Sequence, residues 1–253
     1  MFPAVLDDRS IRFCYQPIVR LSDRQVVAYE ALARPQGIDL DLSVEGFFEA
    51  ALQLGYGRAL DWLCGWLCLQ TSRDVVDDRT LFMNIGVSSL LSPADGVDPM
   101  INLLEWAGWS ASEVVLEITE REEIGDLGRF REVLTTYRDH GFRFAMDDVG
   151  DGHSTLEVLA AGEPEFVKIA RRLTAGAGLP GARAAVSAVT AFAGSLGSHV
   201  IAEGIEDEHQ ADLMAALGCQ MGQGNALGRP AWPNASRASG DADRQPALRV
   251  LSA

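Results

Sequence analysis

The sequence predicts an α/β protein folded as a modified (β/α)8, TIM-like barrel with one antiparallel strand near the N-terminus. Three observations predict this fold. The length of 253 residues is typical of one such barrel. Short strand-like runs alternate with longer helical patterns, which favours parallel strands joined by right-handed crossovers. Eight strand candidates in a chain of this length favour a closed barrel over an open doubly wound sheet.

The chain opens with two strand candidates, at residues 12–19 and 25–32, separated by turn-forming residues. This spacing predicts a hairpin, so one strand should run against the others. Apolar residues then recur at helical spacing from residue 46 to residue 69. Gly55 and Gly57 should divide this segment into two helices.

The rest of the chain repeats the alternation of strand and helix. The further strand candidates are residues 80–87, 113–118, 142–147, 165–169, 198–203 and 219–222. Helical patterns lie between most of them, notably at 127–140, 182–196 and 206–217. From Ala231 the composition turns to Pro, Ser, Asp and Arg without a period. We therefore expect a barrel domain over residues 1–230 and a mobile tail over residues 231–253.

Composition and charge exclude several functional classes. The formal charge of −15 and the lack of an evident basic patch argue against long nucleic acids as partners. No run of 18 apolar residues and no secretory signal occur, so we expect a cytoplasmic protein with no membrane association. The four cysteines form no Cys-x-x-Cys pair and are interpreted as core residues.

Polar residues recur at or near the carboxyl ends of the strand candidates. They are Glu30, Asn84, Glu117, Asp147, Asp148, Lys168, Glu203 and Gln223. In a parallel barrel these ends converge on one face, where barrel active sites are built. Each residue alone has a structural interpretation, such as a helix cap or a surface ion pair. Their shared position predicts a functional site at that face.

Five carboxylates gathered at one mouth should repel one another, at roughly 4 kcal/mol per pair 4 Å apart in an effective dielectric near 20. Either several are protonated or cations bind there. Glu30, Asn84, Glu117 and Asp147 offer only oxygen atoms. Oxygen ligands suit Mg²⁺, Mn²⁺ or Ca²⁺ and argue against zinc.

In these residues the chain resembles the EAL-domain cyclic di-GMP phosphodiesterases, bacterial signalling enzymes with a modified β/α barrel. Residues 30–34 match the motif Glu-Ala-Leu-x-Arg, and residues 15–18 match the segment upstream of it. The other matching motifs, in the family's order, are Asn84 with Ser88, Glu117 with Glu120, residues 147–152, Lys168 with Ile169, residues 202–206 and Gln223 with Gly224. The resemblance covers about residues 13–230.

The resemblance implies a role for each matching position. Glu30, Asn84, Glu117 and Asp147 would hold one Mg²⁺ or Mn²⁺ ion, and Asp147, Asp148 and Glu203 a second. Lys168 and Glu203 would be catalytic, with Lys168 acting on the attacking water. Leu32, Arg34 and Gln223 would contact cyclic di-GMP, and the product would be linear pGpG. Glu120 would brace the loop at 150–155, and Glu206 would support the site.

The sequence departs from the family pattern at a few positions. Val149 and His153 replace the usual Phe and Tyr, and Asn225 replaces an aromatic residue. The largest departure is Ala170, where the family commonly has Asp. This change removes a carboxylate near Lys168, from which we expect slow turnover.

Two alternatives remain beside the phosphodiesterase. A catalytically weak or inactive relative would act as a cyclic di-GMP receptor or a protein-interaction module, and loss of metal ligands would favour it. A barrel enzyme for another phosphate ester is opposed only by Leu32, Arg34 and Gln223. Since no sensor segment is recognised, regulation by a partner protein or by a homodimer is expected.

Overall fold

The computed structural model describes residues 10–36, 43–92, 96–119, 122–150 and 155–233. They form a closed barrel in the order β1 to β8, with β8 paired to β1. The strands are β1 (Ile11–Arg20), β2 (Val26–Pro35), β3 (Thr80–Ile85), β4 (Val114–Ile118), β5 (Arg143–Val149), β6 (Phe166–Ile169), β7 (His199–Ala202) and β8 (Met221–Gly222). The predicted barrel is confirmed.

Strand β1 is the antiparallel strand that the sequence predicts. It pairs antiparallel with both β2 and β8, whereas the pairs from β2 to β8 are all parallel. The connection between β1 and β2 is tight because Arg24 adopts a positive φ of 59°. The Arg24 guanidinium also pairs with Glu208 and Asp212, at 3.0 and 2.7 Å. These ion pairs link the β1–β2 hairpin to the last helix.

Helices surround the barrel. They are α1 (Val44–Gln53), α2 (Gly57–Val76), α3 (Val87–Leu90), α4 (Asp98–Ala107), α5 (Leu127–Asp139), α6 (Leu156–Gly162), α7 (Arg171–Gly176), α8 (Pro180–Ser195) and α9 (Glu208–Ala216). The predicted break near Gly55 is confirmed, and Gly55 itself has a φ of +79°. Helix α2 continues to Val76, beyond residue 69, because Ser72 and Val76 extend its buried face.

The barrel has two apolar regions. The larger one fills the space between the helices and the outer faces of the strands. The smaller one lies inside the barrel and takes one residue from each of the first seven strands. These residues are Ile18, Ala28, Phe82, Val115, Ala145, Phe166 and Ile201, and we call them the apolar layer. Each is at most 7% exposed, so the layer is a packed core.

The end of the described chain returns to the barrel. Ala231 forms an isolated antiparallel bridge with Tyr15, through backbone hydrogen bonds of 2.9 and 3.0 Å. The sequence places the start of the tail at this residue, and most of that predicted tail, residues 234–253, lies outside the described residues. Among the helices that the structure describes, none combines the length and apolar character needed to span a bilayer.

An ion pair between α2 and the start of β4 makes stability depend on pH. Arg73 donates to Glu113 at 2.7 Å, and this hydrogen bond lowers the pKa of Glu113 to about 2. Because the folded-state pKa is depressed, the stabilisation is present above the unfolded pKa near 4.5 and is lost as the pH falls towards 2.

We expect Glu113→Gln to lower the free energy of unfolding by about 0.5 kcal/mol at pH 7, since both side chains are more than a third exposed and solvent screens the pair. The difference from the parent protein should shrink as the pH falls below 4.5. Urea unfolding at several pH values measures it. Glu105→Gln, in α4, is the control, and a cost of Glu113→Gln that does not change with pH would contradict the assignment.

Candidate active site

The polar residues of the predicted site form one layer inside the barrel. On strands β2 to β7, each lies two positions after a residue of the apolar layer, and side chains in a strand alternate with a period of two. On β1, which runs the other way, Gln16 lies two positions before Ile18. The polar layer consists of Gln16, Glu30, Asn84, Glu117, Asp147, Lys168, Glu203 and Gln223. The predicted convergence on one face is therefore seen in the structure.

Glu30 differs slightly from its predicted place. It lies in the middle of β2, because that strand continues to Pro35. The antiparallel pairing with β1, in which Glu30 faces Gln16, lengthens the strand beyond the barrel rim. Glu30 is only 5% exposed and still points inward with the rest of the polar layer.

Lys168 lies at the centre of the layer and is 1% exposed. Its Nζ lies 2.7 Å from Glu203 Oε1, 3.1 Å from Asp147 Oδ1 and 3.3 Å from Glu30 Oε2. It also donates to Glu117 Oε1. Four carboxylates thus surround one ammonium group, so the cluster keeps an excess of negative charge when all are ionised. The sequence predicted repulsion here, and a buried cation of the chain itself offsets part of it.

Burial and the neighbouring charges shift the pKa values of Lys168, Glu117 and Glu203. Burial alone would lower the pKa of Lys168, but the surrounding carboxylates, with Asp147 and Glu117 foremost, raise it well above its ordinary value. Burial and then the neighbouring Glu30 raise the pKa of Glu117 well above its usual range. Burial is also the main cause of the raised pKa of Glu203. Without further cations, the layer therefore tends to hold protons on its carboxyl groups.

Two amides also contact the Glu30 carboxylate. Gln223 Nε2 donates to Glu30 Oε2 at 2.6 Å and to Gln16 Oε1 at 3.1 Å. Asn84 Nδ2 lies 3.5 Å from Glu30 Oε1. Gln16 in turn donates to the Gly228 carbonyl at 3.1 Å. Gln16 was assigned no role from the sequence, although its inward position on β1 would have identified it.

Three carboxylates meet at the open side of the layer. Asp147, Asp148 and Glu203 each offer one oxygen, and these oxygens all lie within 4.8 Å of one another. Asp148 adopts a positive φ of 49°. Asp is one of the few residue types that tolerates this conformation, which turns the chain out of β5. Glu117 adds a buried Oε2 without a hydrogen-bond partner among the described residues. The oxygen donors fit a hard divalent cation.

A cleft of about 650 Å³ opens above the layer. Glu30, Asn84, Asp147 and Asp148 border it on the barrel side, and Leu32 and Arg34 line its wall on β2. The predicted substrate residues Leu32 and Arg34 are thus beside the predicted metal residues. Gln223, the third predicted substrate residue, is 3% exposed and lies below them.

Two acidic residues at the cleft were not predicted. Asp61, on α2, accepts hydrogen bonds from the Gly86 amide at 3.0 Å and from the Ser89 hydroxyl at 2.5 Å. Both oxygens of Glu122 lie 3.2 Å from the Ser88 amide nitrogen. They hold the turn after β3 at the rim. The sequence signal that could have identified Asp61 is a charged residue among the apolar positions of a predicted helix.

The two predicted support residues have different outcomes. Glu120 lies outside the described residues, as does most of the loop it would brace. Glu206 forms an ion pair with Arg171. Arg171 packs over Gly204, where an added Cβ would lie 2.2 Å from Arg171 Cγ, and Gly204 has a φ of +69°. The ion pair links Glu206 to the residue that packs over Gly204, and its support of the site stays a prediction.

Ala170 directly follows the last residue of β6 and is the N-cap of α7. Its backbone is extended, with a φ of −50° and a ψ of 137°, and its amide donates to the Val149 carbonyl on β5 at 3.2 Å. Ala170 is 1% exposed. Four carboxylates hold the Lys168 ammonium group without an acid at position 170, and the expected slow turnover stays a prediction.

Lys168 is the single lysine of the chain, since 20 of the 21 basic residues are arginines. An ammonium group is compact and can lose its proton, whereas a guanidinium is planar and stays charged. The one lysine of the chain therefore lies inside the barrel. This points to a requirement for an ammonium group at that place.

The fold and the polar layer define a β/α barrel with a cluster of carboxylate oxygens at its carboxyl mouth that could hold a metal ion. A family model described as the EAL domain matches residues 2–230. The chain belongs to the EAL domain family.

Two similar proteins come from Pseudomonas aeruginosa. The cyclic di-GMP phosphodiesterase PA2567 is 29% identical over 234 residues, covering 91% of this chain and 40% of that protein. The cyclic di-GMP phosphodiesterase NbdA is 29% identical over 241 residues, covering 89% of this chain and 29% of that protein. The chain therefore spans less than half the length of either relative.

Solved structures agree with this family. BlrP1 of Klebsiella pneumoniae, in a complex with calcium and cyclic di-GMP, superposes with a TM-score of 0.78 at 28% identity, covering 88% of this chain and 56% of that chain. The PaMucR phosphodiesterase in complex with c-di-GMP gives a TM-score of 0.78 at 26% identity, covering 91% of this chain and 95% of that chain. Both similarities extend over the whole barrel.

Removal of the central ammonium group should destabilise the metal-free protein strongly. Lys168→Met leaves four carboxylates without their shared cation, and breaking a buried ion pair from one side costs on the order of 3–5 kcal/mol. We expect a loss of that size in the free energy of unfolding, measured with urea at pH 7 in the presence of a chelator. Arg20→Met is the control, because the Arg20–Asp23 pair is exposed and should contribute less than about 1 kcal/mol. Equal losses in the two variants would contradict the central role of Lys168.

Proposed function

We propose that this chain hydrolyses cyclic di-GMP to linear pGpG with the help of two Mg²⁺ or Mn²⁺ ions, and that it does so in the cytoplasm. The observation that carries the proposal is the acidic layer around Lys168 at the mouth of an EAL-family barrel. Membership in that family supports the substrate, and the oxygen donors support the choice of metal.

The polar layer, together with the neighbouring Asp148, would supply two sets of metal ligands. Glu30, Asn84, Glu117 and Asp147 would hold one ion. Asp147, Asp148 and Glu203 would hold the second, with Asp147 shared. When bound, two divalent cations neutralise charge on a phosphoryl group and lower the pKa of water. The excess of carboxylates over ammonium groups supports this assignment, since cations would relieve it.

Lys168 and Glu203 would do the proton chemistry. Lys168 lies between the two sets of ligands, and its ammonium group can donate to an oxygen that enters the layer. We propose that it orients the attacking water. Glu203 lies 2.7 Å from Lys168 and borders the open side of the layer, where it can accept a proton from that water.

The cleft would receive the dinucleotide. Arg34 lines it with a guanidinium group, which matches the geometry of a phosphate oxygen pair. Leu32 supplies an apolar surface beside it. Gln223 lies deeper and would act through Glu30, which it holds at 2.6 Å, as well as toward the substrate. A homodimer stays a prediction, which light scattering of the purified protein checks.

Activity should depend on a divalent metal. Exhaustive chelation should abolish conversion of cyclic di-GMP to pGpG, and Mg²⁺ or Mn²⁺ should restore it. Ca²⁺ should support it poorly, because its longer and looser coordination misplaces the reacting water. Chromatographic separation of the nucleotides measures the conversion. Full activity after chelation would exclude the proposed mechanism, and binding without conversion under every metal would favour the receptor alternative.

The variant Lys168→Arg tests whether Lys168 contributes to the chemical step by more than its positive charge. The variant keeps a cation but replaces the compact ammonium group with a larger planar guanidinium, which cannot take the same place among four carboxylates, so kcat should fall by about 100-fold or more. Affinity for cyclic di-GMP, measured by calorimetry with Ca²⁺, should change only a few-fold. Arg131→Lys, on α5, makes the reverse exchange far from the cleft and should leave both quantities unchanged. If affinity and kcat fell equally in Lys168→Arg, Lys168 would be a substrate anchor instead.

A further inference from the structure

The amino end of the barrel contains a second cavity, of about 710 Å³, on the side opposite the polar layer. Its rim includes Thr80, Arg143, Phe166, His199 and Met221, which are the first residues of β3, β5, β6, β7 and β8. Its volume lies within the range of roughly 300–1,000 Å³ of small-molecule sites. The cavity is therefore a separate concave site of ligand size.

The floor of this cavity is apolar and aromatic. It is formed by Ala28, Phe82 and Phe166, which belong to the apolar layer. The rings of Phe82 and Phe166 meet edge to face, with centroids 5.1 Å apart. An aromatic surface of this kind is suited to contact with a flat apolar group.

The lining is basic, although the chain carries a formal charge of −15. Arg20, Arg143 and His199 contribute to it, and the lining residues that the structure describes include no Asp or Glu. Asp23 pairs with Arg20 at the exposed edge. The interior of the cavity is thus a local basic surface on an acidic protein.

Arg143 has an unused hydrogen-bond donor. Its Nη2 donates to Thr80 Oγ1 at 3.2 Å and to the Ser112 carbonyl at 2.7 Å, but its buried Nε has no partner among the described residues. Glu165 is the carboxylate that acts on the pKa of Arg143, but it accepts hydrogen bonds from Arg138 and from the Phe144 amide instead. Burial lowers the pKa of Arg143, as expected for a cation without an ion pair in the described chain. A buried unsatisfied donor is costly and points to a missing acceptor.

We propose that this cavity binds a small organic anion that combines a flat apolar body with a carboxylate or sulfonate group. The body lies on Phe82 and Phe166, and the anionic oxygen accepts from the guanidinium group of Arg143, which lines the cavity. This site is independent of the proposed hydrolysis, because none of its lining residues belongs to the polar layer. It lies one pleat below that layer, so the two ligands would occupy opposite ends of one barrel.

The test uses 1-anilinonaphthalene-8-sulfonate, an aromatic sulfonate whose fluorescence rises on binding to an apolar site. We expect saturable binding to the folded full chain and displacement by 2-naphthoate. The neutral analogue 2-naphthylmethanol should displace it at least tenfold less well. Equal displacement by the acid and the alcohol would overturn the role of Arg143.

Two pairs of variants locate the bound probe. Arg143→Met should weaken binding about tenfold or more, since it removes a charge-assisted hydrogen bond, whereas Arg183→Met removes the same charge elsewhere and should have no effect. Ala215→Trp, at an exposed lining position on α9, should block the cavity without disturbing the core, whereas Ala216→Trp should not. Unchanged binding in Ala215→Trp would place the probe elsewhere and overturn the proposal. The absence of saturable binding would do the same.

Discussion

The ammonium group of Lys168 is the interaction on which the site depends. A buried charge is tolerated only where opposite charges and hydrogen bonds surround it, and here carboxylates from four other parts of the barrel do so. This requirement fixes the register of the strands. A slip of one residue would turn Lys168 toward the helices and leave the carboxylates facing one another. Charge pairing and strand pairing therefore support the same arrangement.

The apolar layer makes this arrangement possible. It closes the barrel directly below the polar layer with residues such as Phe82 and Ile201, which are 1% and 0% exposed. Water reaches the charged groups of the polar layer from the carboxyl mouth. On the other side of these groups, the apolar layer keeps the dielectric low. Burial raises the pKa of Glu117, whereas the surrounding carboxylates raise the pKa of Lys168 against the effect of burial. The same apolar residues form the floor of the basic cavity at the opposite end.

Electrostatics also explain how an acidic chain could receive an anionic dinucleotide. The polar layer has more carboxylates than Lys168 can neutralise, so bound cations would reverse the local field at the mouth. The cleft itself adds Arg34 beside these carboxylates. Recognition through cations and a few placed groups agrees with the absence of an evident basic patch in the sequence. The substrate site and the amino-end cavity would thus attract anions by different means.

The barrel, the antiparallel strand and all the inward polar residues except Gln16 could be predicted from the sequence, because period-two alternation and strand ends are local properties of the chain. The sequence could not determine which groups pair. The contacts of Lys168 with Glu30, of Gln223 with Gln16, and of Arg143 with Thr80 join residues far apart in the chain. Closure of the barrel brings these distant residues together, and only that closure sets their distances and charges.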